Sequence, residues 1–144
     1  MITVRDILQE KGNQIWHVSP ETTVFEALQL MSEKNVGALV VLDGEKLAGI
    51  FSERDYARKV ILKGKASRET AVREIMTSEV TSVRLGQSME ECMELMTDKR
   101  IRHLPVLEEE KLVGVISIGD VVKAIISDKE FMIKQLENYI TGGP

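Results

Sequence analysis

The chain of 144 residues has few of the residues that several kinds of chemistry require. Its single cysteine, Cys92, cannot form an intramolecular disulfide and has no second thiol with which to hold a metal cluster. The two histidines, His17 and His103, are too few and too widely spaced for a recognisable metal motif. We therefore expect neither redox nor zinc chemistry, and we interpret Cys92 as a core residue.

Positive charge is also scarce, because 19 Lys and Arg stand against 23 Asp and Glu and give a formal net charge of −4. A protein with this balance lacks the basic excess that grips a polyphosphate backbone. Apolar runs are short and interrupted by charges, and residues 1–6 do not begin a signal peptide. These absences disfavour nucleic-acid binding, membrane insertion and export, and they predict a cytoplasmic protein.

What the sequence does contain is an internal repeat. Displaced by 65 residues, the segment 24–31 aligns with 89–96 and the segment 39–55 aligns with 104–120, with no gap in either. The preceding residues 3–8 also repeat, but at an offset of 68. The chain therefore consists of two copies of one unit, joined by a linker at 64–69.

Each copy predicts the same order of elements. Thr23-x-x-Glu26 and Ser88-x-x-Glu91 are capping-box patterns that open helices with one apolar stripe. Two short apolar strands and a turn follow in each copy, and a further helix begins at Ser52 or Ser117. In the first copy this last helix is predicted to end near Gly64.

These elements predict an α+β protein built from two βαββα repeats, packed sheet against sheet as a pseudo-two-fold pair. One copy alone is too small to bury a stable core, so we expect the two to share one body. We divide the chain into a first repeat with its preceding helix and linker (1–68), a second repeat with its preceding helix (69–127), and a C-terminal helix and tail (128–144).

One motif occurs in both copies, Gly49-Ile-Phe-Ser-Glu-Arg-Asp55 and Gly114-Val-Ile-Ser-Ile-Gly-Asp120. A hydrophobic strand followed by this Gly-x-x-Ser-x-x-Asp pattern, present twice, resembles the tandem CBS (cystathionine-beta-synthase-type) domain pair, from Val4 to about Ser127. The resemblance implies a regulatory module that binds adenosine-containing ligands in two clefts between the repeats. The candidates are AMP, ADP, ATP, S-adenosylmethionine and NAD, with AMP or ATP expected first.

The resemblance also implies roles for individual residues. Asp55 and Asp120 would hold the ribose hydroxyls, and Ser52 and Ser117 would meet the phosphate. Each cleft is expected to combine the aspartate of one repeat with residues of the other repeat's strands. For Asp55 these are Thr77, Val80, Ile101, Arg102 and His103, and for Asp120 they are Ile15, Trp16, Val36, Gly37 and Ala38. A purely structural interpretation stays open and is compatible, because Ser-x-x-Asp is itself a capping box.

The two clefts are expected to differ in charge. Arg54, Arg58, Arg102 and a protonated His103 would gather around Asp55, and an Arg fork can hold phosphate in a bidentate manner. Gly119 removes a polar contact from the other cleft and leaves room for a larger ligand. We therefore expect the Asp55 cleft to be the stronger phosphate site.

Three functions are compatible with these observations. The first is a stand-alone adenine-nucleotide sensor without catalysis, which acts on an unknown protein target. The second is a partner-docking module without a ligand response. The third is a nucleotide-converting enzyme, which the absence of a P-loop and of a base-and-nucleophile constellation disfavours. We also expect a homodimer, because the predicted helices carry more apolar surface than one small body covers, and the stretch 129–140 would extend the interface.

Overall fold

The structure, a computed structural model, describes residues 1–141. Residues 142–144 of the predicted C-terminal tail lie outside the described part. The first copy comprises α1 (Val4–Lys11), β1 (His17–Val18), α2 (Val24–Lys34), β2 (Ala38–Asp43), β3 (Lys46–Ser52), α3 (Glu53–Tyr56) and a π-helical turn (Ala57–Ile61). The second comprises α4 (Val72–Ile75), α5 (Met89–Lys99), β4 (His103–Glu108), β5 (Lys111–Ser117) and α6 (Ile118–Thr141). This mixture of helices and strands confirms the predicted α+β class and its two repeats.

The predicted capping residues, Thr23 and Ser88, are present at the N-terminal ends of α2 and α5. The Thr23 hydroxyl accepts a hydrogen bond of 3.2 Å from the Glu26 backbone N–H, and the Ser88 hydroxyl accepts one of 3.1 Å from the Glu91 N–H. Each bond satisfies one of the N–H groups that a helix start leaves without a partner. The helix starts are therefore determined locally, as the sequence predicted.

The two predicted hairpins are present, but the first strand position differs between the copies. In the first copy the sheet has the order β1-β2-β3, with β1 parallel and β3 antiparallel to β2. In the second copy β4 pairs with β5, and the expected first strand is reduced to one parallel bridge between Val83 and Val106. Two backbone hydrogen bonds hold this bridge, Val83 N–H to the Pro105 carbonyl and Leu107 N–H to the Val83 carbonyl.

The compact units of the structure do not coincide with the sequence repeats. The terminal unit contains residues 1–13, 82–108 and those from 113 onward, whereas the central unit contains 14–81 and 109–112. Helix α1 therefore belongs with the second repeat, and the segment around α4 belongs with the first. The backbone shows why, since Val4 N–H donates to the Gln87 carbonyl at 2.9 Å and Val72 N–H donates to the Thr22 carbonyl at 2.8 Å.

Each unit has its own hydrophobic core. The core of the central unit is built around Phe51, Leu39 and Val41, and α4 contributes Val72 and Ile75 to it. The core of the terminal unit is built from residues of α1, the bridge at Val83, α5, the second hairpin and α6: Val4, Ile7, Leu8, Val83, Met89, Cys92, Met96, Leu104, Val106, Ile116, Val121 and Ala124. Cys92 is fully buried, so its interpretation as a core residue is confirmed.

The last helices of the two copies end differently. In the first copy the chain turns at Gly64, whose φ of 69° lies in the left-handed region that glycine tolerates. In the second copy α6 continues without a break from Ile118 to Thr141, so the boundary predicted at residue 128 falls inside one helix. The physical reason is that Lys129, a good helix former, stands where the first copy has Gly64. In residues 1–141 no helix is long and apolar enough to cross a membrane.

Candidate functional site

Both Ser-x-x-Asp motifs form capping boxes at the start of the last helix of their repeat. Asp55 Oδ2 accepts hydrogen bonds from the Ser52 backbone N–H and hydroxyl, each at 3.0 Å, while the Ser52 hydroxyl accepts one from the Asp55 N–H at 3.2 Å. In the second copy the Ser117 N–H donates to Asp120 Oδ2 at 2.8 Å, and the Asp120 N–H donates to the Ser117 hydroxyl at 3.2 Å. The structural role anticipated for the motif is therefore real in both copies, and any ligand role must coexist with it.

The carboxylate of Asp55 is buried and is contacted on both oxygens by hydrogen-bond donors and a cation. Besides the two bonds from Ser52, its Oδ1 accepts one from the Thr77 hydroxyl at 3.1 Å and lies 3.1 Å from Lys59 Nζ. Three hydrogen bonds and one ammonium group thus face the roughly four lone-pair directions that a carboxylate offers. Only 9% of the Asp55 side chain is exposed. A further acceptor role for Asp55 would require one of these donors to leave.

Lys59 is a site residue that the sequence analysis missed. It lies four residues after Asp55, in the π-helical turn, and also donates to the Ile75 carbonyl at 3.1 Å. The signal that would have found it is the spacing i,i+4 of opposite charges on one helix face. Thr77, in contrast, was predicted to accompany Asp55, and the central unit brings the two side chains together.

The glycine of the motif explains how Thr77 comes so close. A Cβ atom on Gly49 would lie 2.7 Å from the Thr77 carbonyl oxygen, so only glycine permits this approach without movement. The carbonyl and N–H of Thr77 pair with the backbone of Ile50 at 3.0 and 2.8 Å. The glycine therefore allows a backbone bridge that presents the Thr77 hydroxyl to Asp55.

Asp120 has a different environment. Its Oδ2 accepts a hydrogen bond from the Ser117 N–H and another, of 2.7 Å, from Lys11 Nζ of α1. Lys11 Nζ also donates to the Val115 carbonyl at 3.1 Å. In the part of the chain that the structure describes, Oδ1 of Asp120 has no hydrogen-bond donor. The side chain of Asp120 is 23% exposed, which is more than that of Asp55. This carboxylate can accept further hydrogen bonds.

The charge of Asp120 is stabilised despite partial burial. Burial by itself raises the pKa of this carboxyl, but the hydrogen bond and charge of Lys11, with the bonds from Ser117, outweigh it and hold the pKa below its ordinary value. Sequence reasoning missed Lys11 because it lies 109 residues from its partner and on the helix assigned to the other repeat. No local pattern could have shown this pair.

The remaining predicted residues are grouped by repeat. Ala38 pairs with Ser52 across β2 and β3, and the Gly37 carbonyl accepts from the Glu53 N–H at 3.1 Å. An antiparallel hairpin brings the start of its first strand beside the end of its second, so these residues flank the helix of Asp55. The same central unit holds Arg54, Arg58, Val80, Ile15, Trp16 and Val36.

The second repeat shows the same arrangement in the terminal unit. The Arg102 carbonyl accepts from the Ile118 N–H at 2.8 Å, which puts the start of β4 beside the helix of Asp120. Ile101 and His103 flank Arg102 in this unit. Within each unit, the hairpin start thus accompanies the aspartate of its own repeat, whereas the resemblance paired it with the other aspartate. Clefts that combine Asp55 with residues 101–103, or Asp120 with the first hairpin, stay predictions.

Trp16 has a partner on its ring face. Lys34 Nζ lies 4.5 Å from the centre of the indole ring, a distance typical of a cation–π contact. Trp16 also packs against the core of the central unit. A base that stacked on the same face would have to displace Lys34.

Among residues 1–141 no group of three or more His, Cys, Asp or Glu side chains is placed to hold a metal ion.

Two copies of one α+β unit, each ending in a capped Ser-x-x-Asp helix, define a tandem-repeat protein. The family model for the CBS domain matches residues 4–62 and 72–127, and the chain belongs to the CBS-domain family.

Comparison with individual proteins agrees with this assignment. The CBS domain-containing protein CBSX3 of Arabidopsis thaliana, described as mitochondrial, is 40% identical over 98% of this chain and 73% of its own length. A candidate signal-transduction protein with CBS domains from Burkholderia ambifaria is 52% identical, with a TM-score of 0.85 over 88% of this chain and 96% of that one. A CBS-domain-containing protein from Agrobacterium tumefaciens is 40% identical, with a TM-score of 0.82 over 85% and 98%.

Proposed function

We propose that the chain is a non-catalytic regulatory module that binds an adenosine-containing ligand, with AMP or ATP as first candidates and NAD as a further one. The observation that carries the proposal is the environment of Asp120. A partly exposed, ionised carboxylate with a free oxygen suits the two hydroxyls of a ribose, and the neighbouring Lys11 and Ser117 suit a phosphate. Membership of a family of regulatory modules supports the same function.

The proposal reverses the ranking of sites that the sequence suggested. The Asp55 cleft was expected to be the stronger phosphate site, but the Asp55 carboxylate already accepts hydrogen bonds from Ser52 and Thr77 and pairs with Lys59. A ribose would have to replace one of these bonds, and the exchange would gain little free energy. We therefore place the stronger site at Asp120.

Lys11 gives this site a means of signalling. A ligand phosphate would compete with Asp120 for the Lys11 ammonium group, and a ribose would compete with Lys11 for Asp120. Because Lys11 is the last residue of α1, binding would change how the end of this helix is held. Altered packing of α1 is the conformational change that we expect the ligand to cause.

Isothermal titration of the full chain with AMP, ATP, NAD and S-adenosylmethionine tests the proposal, with GMP and inorganic phosphate as controls. Asp120→Asn should weaken binding of the best ligand about tenfold or more, since a hydrogen bond to a charged group contributes about 1.5 to 3 kcal/mol. Asp55→Asn should change the affinity by less than about threefold. If Asp55→Asn abolishes binding and Asp120→Asn does not, the ranking is wrong. If no adenosine compound binds, the partner-docking alternative replaces the sensor.

The cellular location is part of the proposal as well. We propose a cytoplasmic location. One relative is described as mitochondrial. Fractionation of cells that express the native gene, followed by immunoblotting, decides between the two locations.

A further inference from the structure

Helices α1 and α4 are bound by equivalent backbone contacts, α1 in the terminal unit and α4 in the central unit. In each helix the N–H groups of a Val-Arg pair donate to two carbonyls that lie two residues apart in the chain. These bonds are Val4 to Gln87 (2.9 Å), Arg5 to Leu85 (3.0 Å), Val72 to Thr22 (2.8 Å) and Arg73 to Pro20 (2.9 Å). The chain therefore contains two surfaces that bind a short helix in the same way.

The side chains of the two helices are used in the same way as well. Valine and isoleucine are buried at positions 68 residues apart, namely Val4 and Ile7 in α1 and Val72 and Ile75 in α4. A strand glycine makes room for the next residue of each helix. A Cβ atom on Gly114 would lie 2.7 Å from the Leu8 side chain, and one on Gly49 would lie 2.9 Å from that of Met76. Both helices thus share one pattern, Val-Arg-(Asp or Glu)-Ile-(Leu or Met).

The C-terminal end of α1 is held less firmly than that of α4. After α4, the N–H and carbonyl of Thr77 both pair with the backbone of Ile50, at 2.8 and 3.0 Å. Within residues 1–141 no backbone bridge of this kind follows α1. There the side chain of Lys11, which is 38% exposed, donates to the Val115 carbonyl. A helix of eight residues is also marginal without its packing partner. We therefore expect α1, and not α4, to exchange with a competing helix.

We propose that the surface beneath α1 is an interaction surface for a partner protein, which inserts a short helix of the shared pattern in place of α1. We call this surface, formed by residues 85–89 and Gly114, the α1 docking surface. A helix that binds in a hydrophobic surface is recognised by its spaced apolar anchors, here Val, Ile and Leu or Met. The proposal does not rest on nucleotide binding, and its test is carried out without nucleotide.

Fluorescence anisotropy with a labelled peptide of residues 1–12 tests the proposal on the full chain. Ile7→Asp prevents the chain's own α1 from docking and leaves the α1 docking surface unchanged. The peptide should bind this variant at least tenfold more tightly than the wild type, in which α1 competes from within the same chain. Gln9→Asp adds the same charge at an exposed position of α1 and should behave like the wild type.

Competitor peptides test the pattern itself. A peptide of residues 69–80, which contains the α4 sequence, should displace the labelled peptide from the Ile7→Asp chain. A 1–12 peptide that carries Ile7→Asp should not displace it. The proposal is wrong if the labelled peptide does not bind the folded Ile7→Asp chain, if the 69–80 peptide fails to compete, or if the altered peptide competes equally well.

Two controls complete the experiment. If circular dichroism shows that Ile7→Asp does not fold, Lys11→Met replaces it and should bind the labelled peptide about fivefold more tightly than the wild type. Equal binding by these two chains would contradict the proposal. Unlabelled wild-type chain should displace the peptide at least tenfold less effectively than free 1–12 peptide, because its α1 is docked. Equal displacement would mean that α1 of a second copy occupies the surface, and would overturn the assignment to a different partner.

Discussion

The ion pair between Lys11 and Asp120 provides the sharpest test of how the terminal unit is held together. Lys11→Met removes the 2.7 Å contact while it keeps most of the apolar stem of the side chain. Lys11 is 38% and Asp120 23% exposed, so solvent screens part of the attraction. We expect the free energy of unfolding at pH 7 to fall by about 1 kcal/mol, and the melting temperature to fall by about 3 °C.

The effect should depend on pH in a definite direction. The pKa of Asp120 is lowered in the folded chain, so its contribution is complete above the pKa of the unfolded chain and disappears as the pH falls through the folded value. The difference between wild type and Lys11→Met should therefore shrink as the pH falls below about 4. Thermal melts from pH 7 to the lowest pH at which both proteins fold measure this.

A control and a double-mutant cycle complete the experiment. Lys63→Met removes an exposed lysine that makes no ion pair within the described chain, and it should leave the melting temperature nearly unchanged. The cycle of Lys11→Met with Asp120→Asn should give a coupling energy of about 1 kcal/mol. Strictly additive losses of stability in the double-mutant cycle would refute a stabilising Lys11–Asp120 ion pair. A loss of stability in Lys11→Met that persists unchanged below about pH 3 would refute it as well.

Three further predictions concern folding and reactivity. Gly49→Ala should lower the free energy of unfolding, measured by urea denaturation, by about 2 kcal/mol, because its Cβ would meet the Thr77 backbone at 2.7 Å. Gly114→Ala should lower it by less, because its Cβ would meet the movable end of the Leu8 side chain. Asp55→Ala should destabilise the fold more than Asp120→Ala, since it leaves more donors unpaired; equal melting temperatures would contradict this. Native Cys92 should resist iodoacetamide at pH 8 and react only after unfolding, as mass spectrometry would show.

The features that the sequence predicted correctly are those with local causes. The helix starts at Thr23 and Ser88 depend on residues three positions away, and the hairpins follow from alternating apolar segments and short turns. The equivalence of Asp55 and Asp120 follows from the repeat itself. For the helix starts and the hairpins the interacting residues are close in sequence, so a pattern within a short window is sufficient.

The features that could not be predicted depend on contacts between distant segments. Nothing in the pattern of α1 indicates that its apolar face packs with Leu104 and Ile116 and not with its own repeat. The same packing brings Lys11 to Asp120. The charge environment of Asp120 therefore depends on α1 packing with the second repeat, which the sequence did not indicate. The continuation of α6 is different, because Lys129 in place of Gly64 was visible in the alignment of the two copies.

The division of the chain into central and terminal units has a consequence for synthesis on the ribosome. Nearly all of the central unit is encoded in one stretch, 14–81, so it can fold as soon as this stretch has emerged. Helix α1 emerges earlier, yet Val4, Ile7 and Leu8 have no core to join until the segment from 82 onward is made. The nascent chain therefore carries an uncovered apolar helix while about half of the protein is translated, a period in which a chaperone would bind its first residues. Pulse proteolysis of arrested nascent chains should find the central unit protected before α1.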